Sequence, residues 1–332
     1  MNKISSKRTL RIVATTTFVS ATAFFAAIPA LAQTSKPIVM KVAFPAGGPT
    51  DISVRRIQAP LQTMLGQAVI VENQPGAGGS IAAVSVNSAQ ADGGTLLAAS
   101  GNDLILAPLA ISQARYKAEG FKLLAPLGDS DVVLVTSKKH NFTGIDELIE
   151  HSRRDPKAFS IGTWGYGSST HIVAADFGDK IGVPYLTVPY KGAAPQIQAL
   201  LSQEVDFAFM SFSGTLAELI RTGKVRPVGV ASQKRNPNLP NIPTLNEGKY
   251  LKNFVHNIWG GVFVPASVPD AVAVKLNKSL TEVMQRDDYK RFLHDTAALP
   301  LEPMTLSEAA SFYRSELEKV QRIARAIKLE PQ

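Results

Sequence analysis

The chain has 332 residues and a formal net charge of +8, contains no cysteine, and is 45% apolar. Without cysteine it cannot be a disulfide-stapled scaffold, so hydrophobic cores must stabilise it, and its length suits one or two domains. Its basic residues form no cluster interleaved with aromatic residues, which argues against nucleic acid as a partner.

The amino terminus has the pattern of a secretory signal peptide. Four cations precede an acid-free apolar run that ends at Pro29, and Ala30, Leu31 and Ala32 form a small-x-small cleavage site. We expect cleavage after Ala32 and export to the periplasm, without a permanent anchor because Thr and Ser interrupt the run and no charged stop-transfer flank follows it. The mature chain would then carry a charge of 8 − 4 = +4, which suits a small anionic ligand but does not by itself indicate one.

Beyond this segment, short β-rich apolar runs alternate with stretches of helical periodicity. The sequence predicts strands at 38–44, 68–72, 95–99, 132–136, 160–162, 184–188, 205–209, 228–231 and 258–264. Helices are predicted between the strands, and a capping box of Thr305 and Glu308 begins the last helix. This alternation predicts an α/β protein with mainly parallel sheets.

Two glycine-rich turns recur, one in each half of the chain. Pro45-Ala46-Gly47-Gly48 follows Phe44, and Gly162 is followed by Gly165, Gly167, Ser168 and Ser169. Glycine lets the backbone approach a ligand, and the free amides and dipole of the next helix favour an anion such as a carboxylate. A single turn of this kind is common in α/β proteins. The pair predicts two lobes that face each other across a cleft.

Five ordered segments resemble the receptors of tripartite tricarboxylate transporters, also called the Bug family. They are VAFPAGGPTD at 42–51, VENQPGAGG at 71–79, GYGSSTH at 165–171, VPYKG at 188–192 and WG at 259–260. The resemblance extends over essentially the whole mature chain. It implies a two-lobed type 2 periplasmic binding protein fold, in which each lobe is a mainly parallel sheet flanked by helices. Residues 33–130 and 258–332 would form domain 1, and residues 131–257 domain 2.

The resemblance also implies which residues bind the ligand. One carboxylate is expected on the first-domain turn through backbone amides and water, with Phe44, Ala46, Gly47, Gly48 and Asp51 in the site. The second carboxylate is expected on the other lobe. The residues implied there are Gly167, Ser168, Ser169, His171 and Tyr190. Ser100 and Asn102 are expected to close the pocket from the first lobe.

Some of these side chains have alternative structural roles. Asp51 could instead cap its own helix, and His171 could serve only to order its turn. Trp259 lies in an apolar run, so we predict that it belongs to the core or the hinge rather than to the pocket.

One departure from the family pattern bears on ligand choice. The family often has an aspartate after the strand at 205–209, where this chain has Met210 followed by Ser211. We predict that both residues line the pocket, and a polarizable thioether suits an apolar or aromatic surface. An aromatic dicarboxylate such as a phthalate isomer is therefore expected, with an aliphatic di- or tricarboxylate as the alternative. The aromatic residues that could complete a flat slot are Phe44, Trp164, Tyr166 and Phe212.

We expect a binding protein rather than an enzyme. Ser168 and His171 lie three residues apart, but there is no nucleophile elbow and no acid placed to orient the histidine. Metal and nucleotide motifs are also missing from the sequence, so no cofactor is expected. The predicted protein is a monomer that closes around its ligand and delivers it to an integral membrane permease. A sensor module that presents the same pocket to a receptor kinase remains an alternative.

Overall fold

The computed structural model describes residues 36–155 and 159–332. The predicted signal peptide and its cleavage site lie outside the described residues. Within the described part, no helix has both the length and the apolarity needed to cross a membrane.

Strands and helices alternate along the described chain, as the sequence predicts. The strands are β1 (Ile38–Val42), β2 (Val69–Asn73), β3 (Thr95–Ser100), β4 (Phe121–Thr136), β5 (Ser160–Thr163), β6 (Leu186–Pro189), β7 (Phe207–Ser211), β8 (Arg226–Val230) and β9 (Asn257–Pro265). The helices are α1 (Pro49–Leu65), α2 (Ser80–Asn87), α3 (Gly101–Ala110), α4 (Ile145–Arg154), α5 (Ser169–Ile181), α6 (Ala193–Leu201), α7 (Gly214–Arg221), α8 (Asp270–Met284), α9 (Asp287–Asp295) and α10 (Leu306–Ala326).

Two long strands connect the halves of the sheet. The strand order is β2-β1-β3-β9-β4-β7-β5-β6, with β8 on the other side of β4. β4 pairs with β9 as far as Asp131, and from Val132 onward it pairs with β7 and β8. We name the halves by the predicted boundaries, so that lobe 1 comprises residues 36–130 and 258–332, and lobe 2 comprises residues 131–257.

The sheet of each lobe is mainly parallel, as predicted, with one reversed strand. β1 pairs in parallel with β2 and β3, and β5 pairs in parallel with β6 and β7. The reversed strand is β9 in lobe 1, where it is antiparallel to β3 and β4, and β4 in lobe 2, where it is antiparallel to β7 and β8. The parallel strands therefore lie away from the crossover, and their carboxyl ends lead into the glycine-rich turns.

Helices cover both faces of each half-sheet. In β3, Leu96 and Ala98 contribute to the core shared with α1 and α8, while Leu97 and Ala99 contribute to the core shared with α2, α3 and α10. Because alternate residues of a strand point to opposite faces, a strand covered on both sides reads as a continuous apolar run. This explains the run of apolar residues that predicted β3.

Trp259 of β9 is a core residue, as predicted. It is fully buried, its ring packs edge-on against Phe312, and its Nε1 donates to Glu316 Oε2 at 3.1 Å. The indole also lies directly against the start of α3, where a Cβ on Gly101 would come within 2.1 Å of Trp259 Cζ2. Gly101 is therefore required by packing, with no contribution from an unusual backbone angle.

We expect Gly101→Ala to lower the free energy of unfolding by about 1 to 3 kcal/mol, because overpacking forces the indole or α3 to shift. The matched control is Gly260→Ala, where a Cβ would come no closer than 3.6 Å to another atom and the backbone φ is not positive; little loss of stability, or a small gain, is expected there. Urea unfolding of both variants measures the difference. Equal losses would contradict the packing argument.

Candidate ligand site between the lobes

The turn between β1 and α1 is held by the Asp51 side chain. Asp51 is 2% exposed, and its carboxylate accepts from the Gly47 amide at 2.9 Å, from Arg55 Nε at 3.0 Å and from Asn73 Nδ2 at 2.8 Å. Burial opposes ionisation, but these hydrogen bonds outweigh it and lower the pKa of Asp51. The carboxylate of Asp51 therefore braces the turn, and Gly48, not Asp51, occupies the N-cap position.

The backbone amides of this turn are partly used within it. Besides the Gly47 amide on Asp51, the Gly48 amide donates to the Pro45 carbonyl at 3.3 Å. Helix geometry leaves the amides of Thr50 and Asp51, in the first turn of α1, without partners inside the helix. The turn faces solvent, since Ala46 and Gly47 are exposed. An anion can therefore reach the amino terminus of α1. The amides of Gly47 and Gly48 are not available to it, because both already donate within the turn.

The adjacent turn, between β3 and α3, places Ser100 and Asn102. Ser100 is the N-cap of α3 and its Oγ accepts from the Asp103 amide at 3.2 Å. Asn102 Oδ1 accepts from the Trp259 amide at 3.2 Å. Both side chains are buried, and these hydrogen bonds hold α3 to its own strand and to β9.

The turn between β5 and α5 is closed by its own hydrogen bonds. Ser168 is the N-cap of α5: its Oγ accepts from the His171 amide at 3.3 Å and donates to the Gly165 carbonyl at 2.7 Å. His171 Nδ1 accepts from the Gly167 amide at 3.3 Å, and burial lowers the pKa of His171. Burial therefore favours the neutral form of the histidine, and its contact with the Gly167 amide orders the turn.

Lobe 1 contacts this turn directly through Asp103. The Asp103 Oδ1 atom accepts from the Ser169 amide, the first of α5, at 2.5 Å. Tyr166 Oη donates to the Glu330 carbonyl at 2.9 Å, and a Cβ on Gly167 would lie 2.4 Å from Ala110 Cβ. The two lobes are thus in contact, with α3 and the carboxyl-terminal segment of lobe 1 against the turn of lobe 2.

The space that remains beside this contact is small. A cavity of about 20 Å³ is lined by Asn102 and Lys319 of lobe 1 and by Ser169 and His256 of lobe 2. That volume admits one water molecule. A ligand can therefore enter between Asp103 and the α5 turn only if the lobes separate.

Of the other predicted site residues in lobe 2, Tyr190 lies beside the turn between β5 and α5, where its amide donates to the Thr163 carbonyl at 2.8 Å. Tyr190 donates its hydroxyl to Glu204 Oε1 at 2.9 Å, and burial together with this acceptor raises the pKa of Tyr190 to about 12. Met210 is 3% exposed and belongs, with Phe212, to the core between the sheet and helices α6 and α7. Ser211 ends β7 opposite Val132 and is half-buried. The prediction that Met210 and Phe212 line an aromatic slot is therefore not supported by their packing.

Two residues of the region were missed by sequence analysis. Asp103 follows Ser100 at capping-box spacing, which indicates a helix start but gives no sign of a contact with the other lobe. Gln196 is fully buried, and it donates to the Gly162 carbonyl at 2.7 Å and accepts from Trp164 Nε1 at 2.9 Å. A glutamine in a helical apolar pattern carries no signal of this role.

Burial is the main influence on Asp103. The side chain is 1% exposed, and burial raises the pKa of Asp103 to about 6 even though the Ser169 amide favours the charged form. No cation pairs with Asp103 among the residues that the structure describes. A carboxylate in such a position is a candidate for a functional role.

Comparison with known proteins identifies the family. The sequence profile of the "Tripartite tricarboxylate transporter family receptor" matches residues 53–329. The chain belongs to this receptor family.

Solved structures of similar proteins support the same conclusion. The periplasmic binding protein BugD is 29% identical and superposes with a TM-score of 0.80 over 89% of this chain and 99% of its own. MatC from Rhodopseudomonas palustris with bound malate is 27% identical, with a TM-score of 0.78 over 86% and 98%. The R. palustris protein Rpa4515 with adipate is 25% identical, with a TM-score of 0.81 over 89% and 99%. The chain therefore has the two-lobed α/β fold of these receptors and is a binding protein, not an enzyme.

The raised pKa of Asp103 predicts how an Asp103→Asn variant affects stability. The folded protein binds the Asp103 proton more tightly than the unfolded chain, so this carboxylate destabilises the fold progressively between pH 4 and pH 6 and fully above pH 6. Asparagine has no such charge. The variant should be more stable than the parent at pH 7.5 by up to about 3 kcal/mol, and nearly equal to it at pH 4.

The control is Asp206→Asn, for which the sign is reversed. Burial raises the pKa of Asp206, but hydrogen bonds from His140, Lys139 and Ser160 outweigh it and lower the pKa to about 2. That variant should be less stable than the parent at pH 7.5. Urea unfolding at both pH values measures both effects, and a stability difference for Asp103→Asn that does not change with pH would refute the burial argument.

Proposed function

We propose that this protein captures a small carboxylate between its lobes and presents it to the integral membrane permease subunits of a tripartite tricarboxylate transporter. The observation that carries the proposal is the pair of strand-to-helix turns after β1 and β5, one in each lobe. Each turn follows the carboxyl end of a parallel strand and precedes a helix amino terminus, which favours negative charge. Similar receptors bind malate and adipate, which supports a carboxylate.

The first-lobe turn is the stronger candidate for the ligand carboxylate. It is solvent-facing, and the first amides of α1 have no partner within the helix. Asp51 and Asn73 brace it by hydrogen bonds. A braced turn loses little entropy when it binds, which favours affinity.

For the ligand itself we propose an aliphatic carboxylate. The case for an aromatic dicarboxylate depended on Met210 and nearby aromatic rings, and both Met210 and Phe212 are packed in a core. Two other rings already have polar partners, since Trp164 Nε1 donates to Gln196 and Tyr166 Oη donates to the Glu330 carbonyl. A phthalate isomer is therefore a comparison ligand in the test.

We propose that the mature protein acts in the periplasm as a monomer, after removal of residues 1–32. The alternative, a sensor that presents the same closed form to a receptor kinase, would use the same cleft and differ only in its partner surface. Deletion of the permease genes distinguishes them, because a transport receptor then loses its effect on ligand uptake whereas a sensor retains its effect on transcription.

A variant at the α5 turn tests the cleft. Ser168→Ala removes the N-cap hydroxyl that holds this turn, and Ser213→Ala is the matched control, because Ser213 caps α7 of the same lobe by the same 3.3 Å contact. Each substitution should lower the free energy of unfolding by about 1 kcal/mol. Only Ser168→Ala should also reduce the ligand-induced thermal shift.

The measurement is thermal unfolding of the mature protein with malate, succinate, adipate, citrate, phthalate isomers and acidic amino acids. A ligand at 100 times its dissociation constant stabilises the protein by about 2.7 kcal/mol. A shift with one or more of the aliphatic acids would support the proposal. No shift with any of them, or equal losses of shift in the two serine variants, would overturn carboxylate capture at this cleft.

A further inference from the structure

The amino terminus of α5 has little capacity left for a ligand carboxylate. Among the amides from Gly167 to His171, four already have acceptors in the chain: His171 Nδ1 for Gly167, the Gly165 carbonyl for Ser168, Asp103 Oδ1 for Ser169, and Ser168 Oγ for His171. The acceptor on the first helical amide is a carboxylate supplied by lobe 1. The position that resemblance assigns to the second ligand carboxylate is thus taken by Asp103.

The same contact leaves a carboxylate oxygen poorly satisfied. Asp103 Oδ2 is buried and has no hydrogen bond of good geometry among the described residues; the hydroxyl of Ser169, which also lacks one, favours the charged form of Asp103 but does not offset the burial. Burying an unpaired carboxylate oxygen is unfavourable, so a group that donates to it gains more than it would in water. At pH 7.5 Asp103 is ionised, because its pKa is about 6. A second carboxylate next to it would be repelled.

Asp103 follows the strand next to the one that leads into the first-lobe turn. β1 and β3 are adjacent parallel strands, so their carboxyl ends lie at the same edge of the sheet. The exposed turn after β1 and the α3 start after β3 therefore face the same side of the cleft. A ligand bound at the amino terminus of α1 by its carboxylate can extend toward Asp103.

We propose that Asp103 is a specificity-determining residue that reserves the lobe-2 end of the cleft for a hydrogen-bond donor. The protein then selects ligands that have one carboxylate and, at the other end, a hydroxyl or ammonium group, over ligands with a carboxylate at both ends. The inference rests on the proposed capture of a carboxylate, and it replaces the expected second carboxylate on Ser168, Ser169 and His171.

The test uses two series of ligands that differ only at one end. Succinate, 4-hydroxybutyrate and 4-aminobutyrate share a four-carbon chain, and adipate, 6-hydroxyhexanoate and 6-aminohexanoate share a six-carbon chain. Isothermal titration calorimetry at pH 7.5 compares the mature protein with its Asp103→Asn variant. The parent should bind the hydroxy or amino member at least about tenfold more tightly than the dicarboxylate of the same length. In the variant this ratio should fall by about tenfold or reverse.

Asp206→Asn controls for the change in net charge. It also removes one buried negative charge from the protein, but the Asp206 carboxylate is bonded to Lys139, His140 and Ser160 within lobe 2. Its ligand ratios should match those of the parent within twofold. Far-ultraviolet circular dichroism and the higher stability expected for Asp103→Asn verify that this variant is folded.

The outcomes separate this inference from the proposed function. If the parent binds dicarboxylates as well as or better than the donor-bearing ligands, and Asp103→Asn leaves the ratio unchanged, the role of Asp103 is overturned while carboxylate capture stands. If neither protein binds any member of either series, carboxylate capture itself is overturned, and the role of Asp103 with it. If the ratio of affinities for donor-bearing ligands and dicarboxylates shifts equally in Asp206→Asn, the shift is explained by net charge. That result would also refute the role assigned to Asp103.

Discussion

The first amides of a helix have no acceptor within it, and this constraint determines how the three helix starts at the cleft are built. In α3 the acceptor is a local side chain, Ser100. In α5 it is partly local, through Ser168, and partly supplied by Asp103 of the other lobe. At the start of α1 the amides of Thr50 and Asp51 are left by helix geometry to a partner from outside. The three starts therefore differ in what they can still bind, although they follow similar strand-to-helix turns.

The turns at the cleft are held by hydrogen bonds. Because they are held in this way, we expect a bound ligand to change the position of the lobes more than the shape of the turns. Asp51, Asn73 and His171 each hold a turn by hydrogen bonds to its backbone. At the crossover, β4 changes partners after Asp131. There Asn257 Nδ2 donates to both carboxylate oxygens of Asp129 at 2.9 to 3.0 Å, and Asn257 Oδ1 accepts from Lys319. These contacts tie the returning strand β9 to β4 and to α10, and a change of partner along one strand is where a hinge between the lobes is expected.

The sequence predicted the element order and the two turns well, because each depends on local pattern. The apolar run of β3, the capping box at Thr305 and the glycines before α1 and α5 all act within a few residues. Contacts between distant segments were not predictable in this way. Met210 was assigned to the pocket, yet the alternation along β7 directs it with Phe212 into the core. The one reversed strand in each lobe was not predicted for a related reason, since the direction of β9 depends on where the chain returns.

Asp103 shows why a weak contact between lobes suits a receptor. A ligand can shift an equilibrium between open and closed forms only by its difference in affinity for the two, so a closed form that is already very stable leaves the ligand little effect. The Asp103 contact joins the lobes through a short hydrogen bond, but burial of its charge, reflected in the raised pKa, offsets much of that gain. A ligand donor that reaches Asp103 Oδ2 removes part of this penalty. Closure is then favoured most when a ligand contacts lobe 1 by its carboxylate and satisfies the charge between the lobes by its other end.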